Sequence, residues 1–139
     1  MILTHASNGN TLQFENLLRD TADFLGKKAK KEDKYFLSLN SSEFEEDVYV
    51  SMEKSAEDTS FAGTIELKSG HKFPDIVADD YYGVEVKSTQ RNHWRTTGNS
   101  VLESTRIENV EKIYIFFGKL AQPIAFRYRK YEDCLYDIA

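Results

Sequence analysis

The sequence predicts an α/β fold with a central mixed β-sheet flanked by helices, in the order α-β-β-β-α-β. Three observations predict it: a long helical pattern near the N-terminus, three β-rich segments in the middle, and a continuous apolar run of strand length near the C-terminus. The 139 residues suit one domain, spanning 1–139. A hydrophobic content of 40% beside a charged content of 29% is typical of a globular chain rather than a disordered one.

The first helix is predicted to begin at Asn10 or Thr11, either of which can act as an N-cap, and to reach about Lys31. One side of it is predicted to be buried through Leu12, Leu17, Leu18, Phe24 and Leu25. Residues 35–60 stay ambiguous, because their apolar groups fit either short strands or parts of an acidic helix.

The strand signals begin at Phe61. Three successive antiparallel strands are predicted in "FAGTIEL", "HKFPDIVADD" and "YGVEVKST", with a turn at Asp79-Asp80. A short helix is predicted in "SVLESTRIENV", a strand buried on both faces in "KIYIFFGK", and a further strand in "PIAFRYRKY". The sequence therefore places two helices around one sheet.

The sequence also indicates the cellular setting of the protein. Cys134 is the only cysteine and cannot pair within the chain, which favours a reducing, cytoplasmic location. No apolar run approaches the roughly 20 residues needed to span a membrane, so no membrane partner is expected. The final segment, "YEDCLYDIA", has no obvious closing element and favours a fragment of a longer protein.

Two acids and a lysine stand within the β-rich middle of the chain. Glu85 and Lys87 are two residues apart on a predicted strand, so they project from one face. If the strand that carries Asp75 pairs beside it, both carboxylates and the Val86 carbonyl form an all-oxygen site of the kind that magnesium favours. The Lys87 ammonium can then position a water or stabilise phosphoryl charge, which suits metal-assisted phosphodiester hydrolysis.

Pro74-Asp75, followed by Glu85-Val86-Lys87, resembles the signature of the PD-(D/E)xK nuclease superfamily. The resemblance implies a restriction-endonuclease-like core, with Mg²⁺ as cofactor and Mn²⁺ as its substitute. It implies that Asp75 and Glu85 bind the metal while Lys87 assists the attacking water. The family often supplies another acid from the first helix, for which Glu15 is the candidate.

A polar segment that follows the motif is the predicted DNA-binding region. The candidates are Gln90, Arg91, His93, Trp94, Arg95 and Asn99. The arginines can contact phosphates or guanine edges, the tryptophan can stack or brace a loop, and the asparagine can read adenine. An ordinary polar loop is the equally weighted alternative.

The function predicted first is that of a type II restriction endonuclease acting on double-stranded DNA. By the same resemblance, a homodimer is expected. Three alternatives stay open: a repair or junction-resolving nuclease, a nuclease-like domain that binds DNA or protein without cutting, and an interaction domain with a charged sheet edge. In that last case the lysine and the two acids are only an ion-pair cluster on a strand face. The net charge of -5 does not distinguish between these candidate functions, because basic and acidic segments alternate along the chain.

Overall fold

The computed structural model describes residues 8–68, 73–95 and 110–134, and shows a mixed α/β arrangement around an open five-stranded sheet. Its elements are α1 (Asn8–Lys31), α2 (Asp33–Leu37), α3 (Ser41–Ser55), β1 (Ile65–Leu67), β2 (Ile76–Ala78), β3 (Tyr82–Thr89), β4 (Lys112–Lys119), β5 (Ala125–Lys130) and α4 (Tyr131–Cys134). The mixed α/β class is confirmed. The helix predicted over residues 100–110 lies, except for its last residue, outside the described residues.

The long first helix is confirmed, and it begins at Asn8 rather than at Asn10. Its buried residues follow helical spacing: Phe14, Leu17, Leu18, Thr21, Leu25 and Ala29. Leu12 was wrongly predicted to be buried, since it is 61% exposed. It precedes Phe14 by two positions, and two residues turn about 200° around a helix, so Leu12 points away from the core.

The ambiguous stretch before the sheet is helical. Asn40 begins α3 with a capping box, in which its side chain accepts from the Glu43 N–H at 2.8 Å and its own N–H donates to the Glu43 carboxylate at 3.0 Å. Phe44, Val48, Ser51 and Met52 then form the buried stripe of the helix. Neighbouring acids conceal this stripe in the sequence.

The sheet has the strand order β1-β2-β3-β4-β5. The pairs β1–β2 and β2–β3 are antiparallel, as predicted, while β3–β4 is parallel and β4–β5 is antiparallel. The predicted turn is confirmed, since Asp79 and Asp80 have φ angles of 54° and 51° and the Tyr81 N–H donates to the Ala78 carbonyl at 3.1 Å. Aspartate tolerates this left-handed conformation better than most residues do.

The two faces of the sheet have different surroundings. Val84 and Val86 point to the face that α1 and α3 cover, where Phe14 stacks on Tyr82 with ring centroids 4.6 Å apart. Glu85 and Lys87 point to the opposite face, as alternation along the strand requires. In the sheet, Phe73, Ile76, Val77, Val84, Val86 and Ile115 are buried, while Ile113 and Phe117 are half-buried. Among the helices described, none is long and apolar enough to cross a membrane.

A close approach between α3 and β4 generates a stability prediction. A Cβ added at Gly118 would overlap the ring of Phe44. We expect Gly118→Ala to lower the free energy of unfolding by about 1–3 kcal/mol through overpacking. In the Phe44→Leu background the same substitution should cost much less, which urea unfolding of the four proteins in this cycle would measure.

Gly26 is the matched control, because a Cβ added there meets nothing within 4 Å. Gly26→Ala in the middle of α1 should raise the free energy of unfolding by about 0.5–1 kcal/mol. Equal effects at the two glycines would show that Phe44 does not pack against β4 in this way.

Candidate active site

Strand register brings the two predicted acids together. Ile76 pairs with Val84, so Asp75, one residue earlier, stands opposite Glu85 where β2 begins. The Asp75 carbonyl accepts the Lys68 N–H at 2.8 Å, which holds its backbone against β1. Its side chain reaches β3, where Oδ2 accepts the Val86 N–H at 2.8 Å. Asp75 is therefore fixed through both its backbone and its carboxylate.

The Val86 carbonyl, the third predicted oxygen ligand, lies on the part of β3 that faces Asp75. In an extended strand the N–H and C=O of one residue point to the same side, so this carbonyl is directed towards Asp75. The β2 ladder runs only from Ile76 to Ala78 and leaves this part of β3 without a β2 backbone partner. The backbone and two carboxylates thus converge where β2 and β3 separate.

Lys87 completes the predicted trio. Its Nζ lies 3.3 Å from Glu85 Oε2, and the two side chains are only 19% and 11% exposed. A second acid-x-Lys pair, Glu66 and Lys68, has its charged atoms 3.0 Å apart but is 56% and 27% exposed. The two pairs share a sequence pattern and differ in burial, which makes the Glu66 pair an internal control.

A third acid, which the sequence did not identify, lies beside Asp75. Glu45 of α3 lies close enough to Asp75 for the two carboxyl groups to interact electrostatically. The structure places Glu15, the residue suggested for this role, elsewhere: its carboxylate accepts the Tyr114 hydroxyl at 2.8 Å on the helix-covered face. The Asn40–Glu43 capping box signals the helix that carries Glu45, but it does not distinguish Glu45 from the other acids of that helix.

The surroundings of this cluster raise the pKa of each of its three acids. Burial, followed by the Asp75 charge, raises the pKa of Glu45 to about 7. Burial, followed by the Asp75 charge, also raises the pKa of Glu85, while Lys87 opposes the shift. Burial raises the pKa of Asp75 as well, and the Val86 N–H limits that rise by donating to its carboxylate. Three carboxyl groups therefore face one lysine, so the cluster lacks positive charge.

The residues present fit a hard divalent cation. Glu85 Oε1 is buried and accepts no hydrogen bond from any residue that the structure describes. A buried acceptor without a partner costs about 1–3 kcal/mol, and a metal ion would satisfy it. In the described ranges, no three His, Cys, Asp or Glu side chains form a ready-made metal cage. Asp75, Glu85 and the Val86 carbonyl could hold Mg²⁺, with water and substrate oxygens completing the shell.

No protein-family model, curated protein or solved structure matches this chain. The assignment of a function therefore depends on the geometry and chemistry of the site.

The predicted DNA-contacting residues follow β3 directly. Gln90 donates its amide to the Leu39 carbonyl at 2.9 Å and so ties the end of β3 to the segment between α2 and α3. Arg91, His93 and Arg95 are exposed, and His93 Nδ1 accepts the Arg95 N–H at 3.1 Å. Trp94 is half-buried and meets the Phe117 ring edge-on, with the centroids 5.6 Å apart. Asn99 lies outside the described residues.

The buried, partnerless Glu85 oxygen generates a prediction about stability. Without divalent metal, Glu85→Gln should raise the free energy of unfolding by about 1 kcal/mol, because a poorly satisfied buried charge is removed. Mn²⁺ at ten times its dissociation constant should stabilise the wild type by about 1.4 kcal/mol and should leave Glu85→Gln unchanged. Thermal melts with EDTA and with Mn²⁺ would measure both effects.

Glu66→Gln is the control for this experiment. Its pair with Lys68 is exposed, so both its stability and its response to Mn²⁺ should stay within about 0.5 kcal/mol of the wild type. A Glu85→Gln protein that Mn²⁺ still stabilises as strongly as the wild type would show that Glu85 is not a metal ligand.

Proposed function

We propose that the protein is a magnesium-dependent DNA endonuclease of the PD-(D/E)xK type with a restriction-endonuclease-like core. One observation carries the proposal: Asp75, Glu85 and Lys87 converge where β2 and β3 separate, and a buried Glu85 oxygen there has no hydrogen-bond partner among the described residues. This combination of oxygen ligands and one ammonium suits phosphodiester hydrolysis.

Each side chain has a defined part in that reaction. Asp75 and Glu85, with the Val86 carbonyl, would hold Mg²⁺, which supplies Lewis acidity to the scissile phosphate when bound. Lys87 lies beside Glu85 and can donate a hydrogen bond to the attacking water or to a phosphoryl oxygen. Water adds to phosphorus and loses a proton, while the leaving oxygen takes the electron pair of the broken P–O bond and a proton.

A purely structural ion pair explains less of the site. Such a pair accounts for the 3.3 Å contact between Lys87 and Glu85. It does not account for the further carboxyls of Asp75 and Glu45. After burial, the Asp75 charge is the next cause that raises the pKa of both Glu45 and Glu85. Clustered buried acids destabilise a fold unless a cation offsets them, so a ligand-binding role fits better.

Within the family, we propose a type II restriction endonuclease that cleaves double-stranded DNA, with a homodimer expected because many such enzymes cut both strands as dimers. A repair or junction-resolving nuclease is the second candidate, and a domain that binds without cutting is the third. Plasmid incubation with and without Mg²⁺ separates them. Discrete fragments indicate a sequence-specific enzyme, a smear indicates a nonspecific nuclease, and intact plasmid opposes cleavage.

The role of Lys87 generates the main test of the proposal. Lys87→Ala removes the ammonium and leaves both carboxylates, so DNA should still bind. Single-turnover cleavage should fall on the order of 100-fold or more, as after loss of one preorganised electrostatic group. Lys87→Arg should not restore full activity, because a planar guanidinium does not reproduce a compact ammonium.

Lys68→Ala is the matched control, since it removes the lysine of the exposed acid-x-Lys pair and should cleave at the wild-type rate. A Lys87→Ala protein that cuts as fast as the wild type would remove the chemical basis of the proposal. Equal losses in both variants would indicate a general effect of lysine removal on folding or DNA binding.

The placement of Glu45 and Glu15 generates a second activity test. Glu45→Gln should lower cleavage by roughly 10- to 100-fold and raise the Mg²⁺ concentration required, because Glu45 orients the Asp75 ligand. Glu15→Gln keeps an oxygen that can accept from Tyr114 and should cleave normally. Magnesium titrations of both variants would show which helix supplies the additional acid, and the reverse result would assign that role to α1.

A further inference from the structure

A buried lysine near the site has no acidic partner among the described residues. Lys119 ends β4, is 5% exposed, and makes no ion pair with a carboxylate in the described part of the chain. Its Nζ instead donates to the neutral Asn92 side chain at 2.6 Å. Buried charges are ordinarily paired, so this ammonium is where an anion would be bound favourably.

A second cation shares the same aromatic ring. The Arg127 guanidinium lies 4.0 Å from the centroid of the Trp94 indole, and Lys119 Nζ lies 5.8 Å from it. Phe117 supports the indole edge-on from the sheet. The indole thus holds two cations near each other, although their mutual repulsion opposes this arrangement. An anion between them would relieve that repulsion.

The cations also stand in register with the candidate active site. Lys87 pairs with Phe117, and Phe117 pairs with Arg127, so these three side chains share one face of the sheet. Lys119 follows Phe117 by two residues on that face. Strand geometry puts the Cα atoms of Lys87 and Lys119 roughly 8 Å apart. Successive phosphates of one DNA strand are about 3.4 Å apart along the helix axis, so this distance corresponds to about two nucleotides.

We propose that Lys119 and Arg127, held by Trp94, bind a DNA backbone phosphate about two nucleotides from the scissile phosphate. The proposal rests on the function proposed above and adds the direction in which the substrate strand runs, from Lys87 across β4 to β5. Trp94 braces the two cations, and Asn92 orients the lysine. A phosphate contact of this kind positions the duplex and carries no sequence information.

Salt-dependent DNA binding tests the inference. Fluorescence anisotropy in EDTA with a labelled duplex would compare the wild type with Lys119→Met and Arg127→Met, which remove the charge and keep an unbranched side chain. Each should weaken binding about five- to tenfold near 0.1 M salt and reduce the slope of log K against log salt by about 0.9. Lys119→Met should melt no lower than the wild type, since it removes a buried charge that has no acidic partner in the described part of the chain.

Lys130→Met is the control, because Lys130 is exposed on β5 and pairs with Tyr114, which places it on the opposite face. Lys130→Met should bind DNA with the wild-type slope of log K against log salt.

If the wild type binds and cuts DNA while Lys119→Met and Arg127→Met keep the wild-type slope, the phosphate site is wrong and the nuclease proposal stands. If the slopes fall but Mg²⁺ supports no cleavage, the phosphate site stands and the nuclease proposal fails. A wild type that neither binds nor cuts overturns both, and a Lys119→Met protein with a lowered melting point and unchanged binding shows that Lys119 is structural.

Discussion

The site depends on one hydrogen bond, from the Val86 N–H to the Asp75 carboxylate at 2.8 Å. At Val86 the strand β3 has passed the end of the β2 ladder, so its inward N–H has no backbone acceptor on that side. An unsatisfied buried N–H is costly, and the carboxylate removes that cost. The same bond fixes the aspartate opposite Glu85, so a requirement of sheet construction also positions a candidate metal ligand. Losing this bond would release both strands from the geometry on which Lys87 and Glu45 depend.

The acids of the site oppose the stability that the rest of the sheet provides. Glu85 lies between Val84 and Val86 on a strand whose surroundings are largely apolar, and burial is the main reason that its pKa rises. Lys87 offsets only part of this effect. The helix-covered face, where Phe14 stacks on Tyr82, supplies the apolar packing that offsets the cost of such a cluster. Residues that conflict with burial are expected at functional sites, because selection for activity retains them despite their cost.

The sequence predicted what depends on local periodicity. Glu85 and Lys87 share a face because a strand alternates every two residues, and Asp75 meets them because a tight turn at Asp79-Asp80 fixes the register between β2 and β3. Residues whose position depends on how separate elements pack were not predictable in this way. Glu45 reaches Asp75 only because α3 lies across the sheet, and nothing in an acidic run distinguishes this glutamate from its neighbours.

Lys119 was missed for a related reason. In the sequence it closes the apolar run "KIYIFFGK" and looks like an ordinary solvated strand end. Its burial is set by residues 91–95, which fold over β4 through the contacts of Asn92 and Trp94. Leu12 shows the opposite error, since an apolar residue type suggested burial while the helical phase of Phe14 directed it outward. Side-chain type thus predicted burial less well than position relative to neighbours did.

On the function proposed above, the distribution of charge around the site would also give the substrate a preferred side of approach. The net charge of -5 repels DNA at long range, but at physiological salt such repulsion is screened beyond about 8 Å. Local charge therefore matters more, and it differs on the two sides of the acids. Glu45 on α3 lies beside Asp75, whereas Lys119 and Arg127 lie on the side of β4 and β5. A phosphodiester strand that approached over α3 would meet carboxylates first, so entry across β5 towards Lys87 is electrostatically favoured.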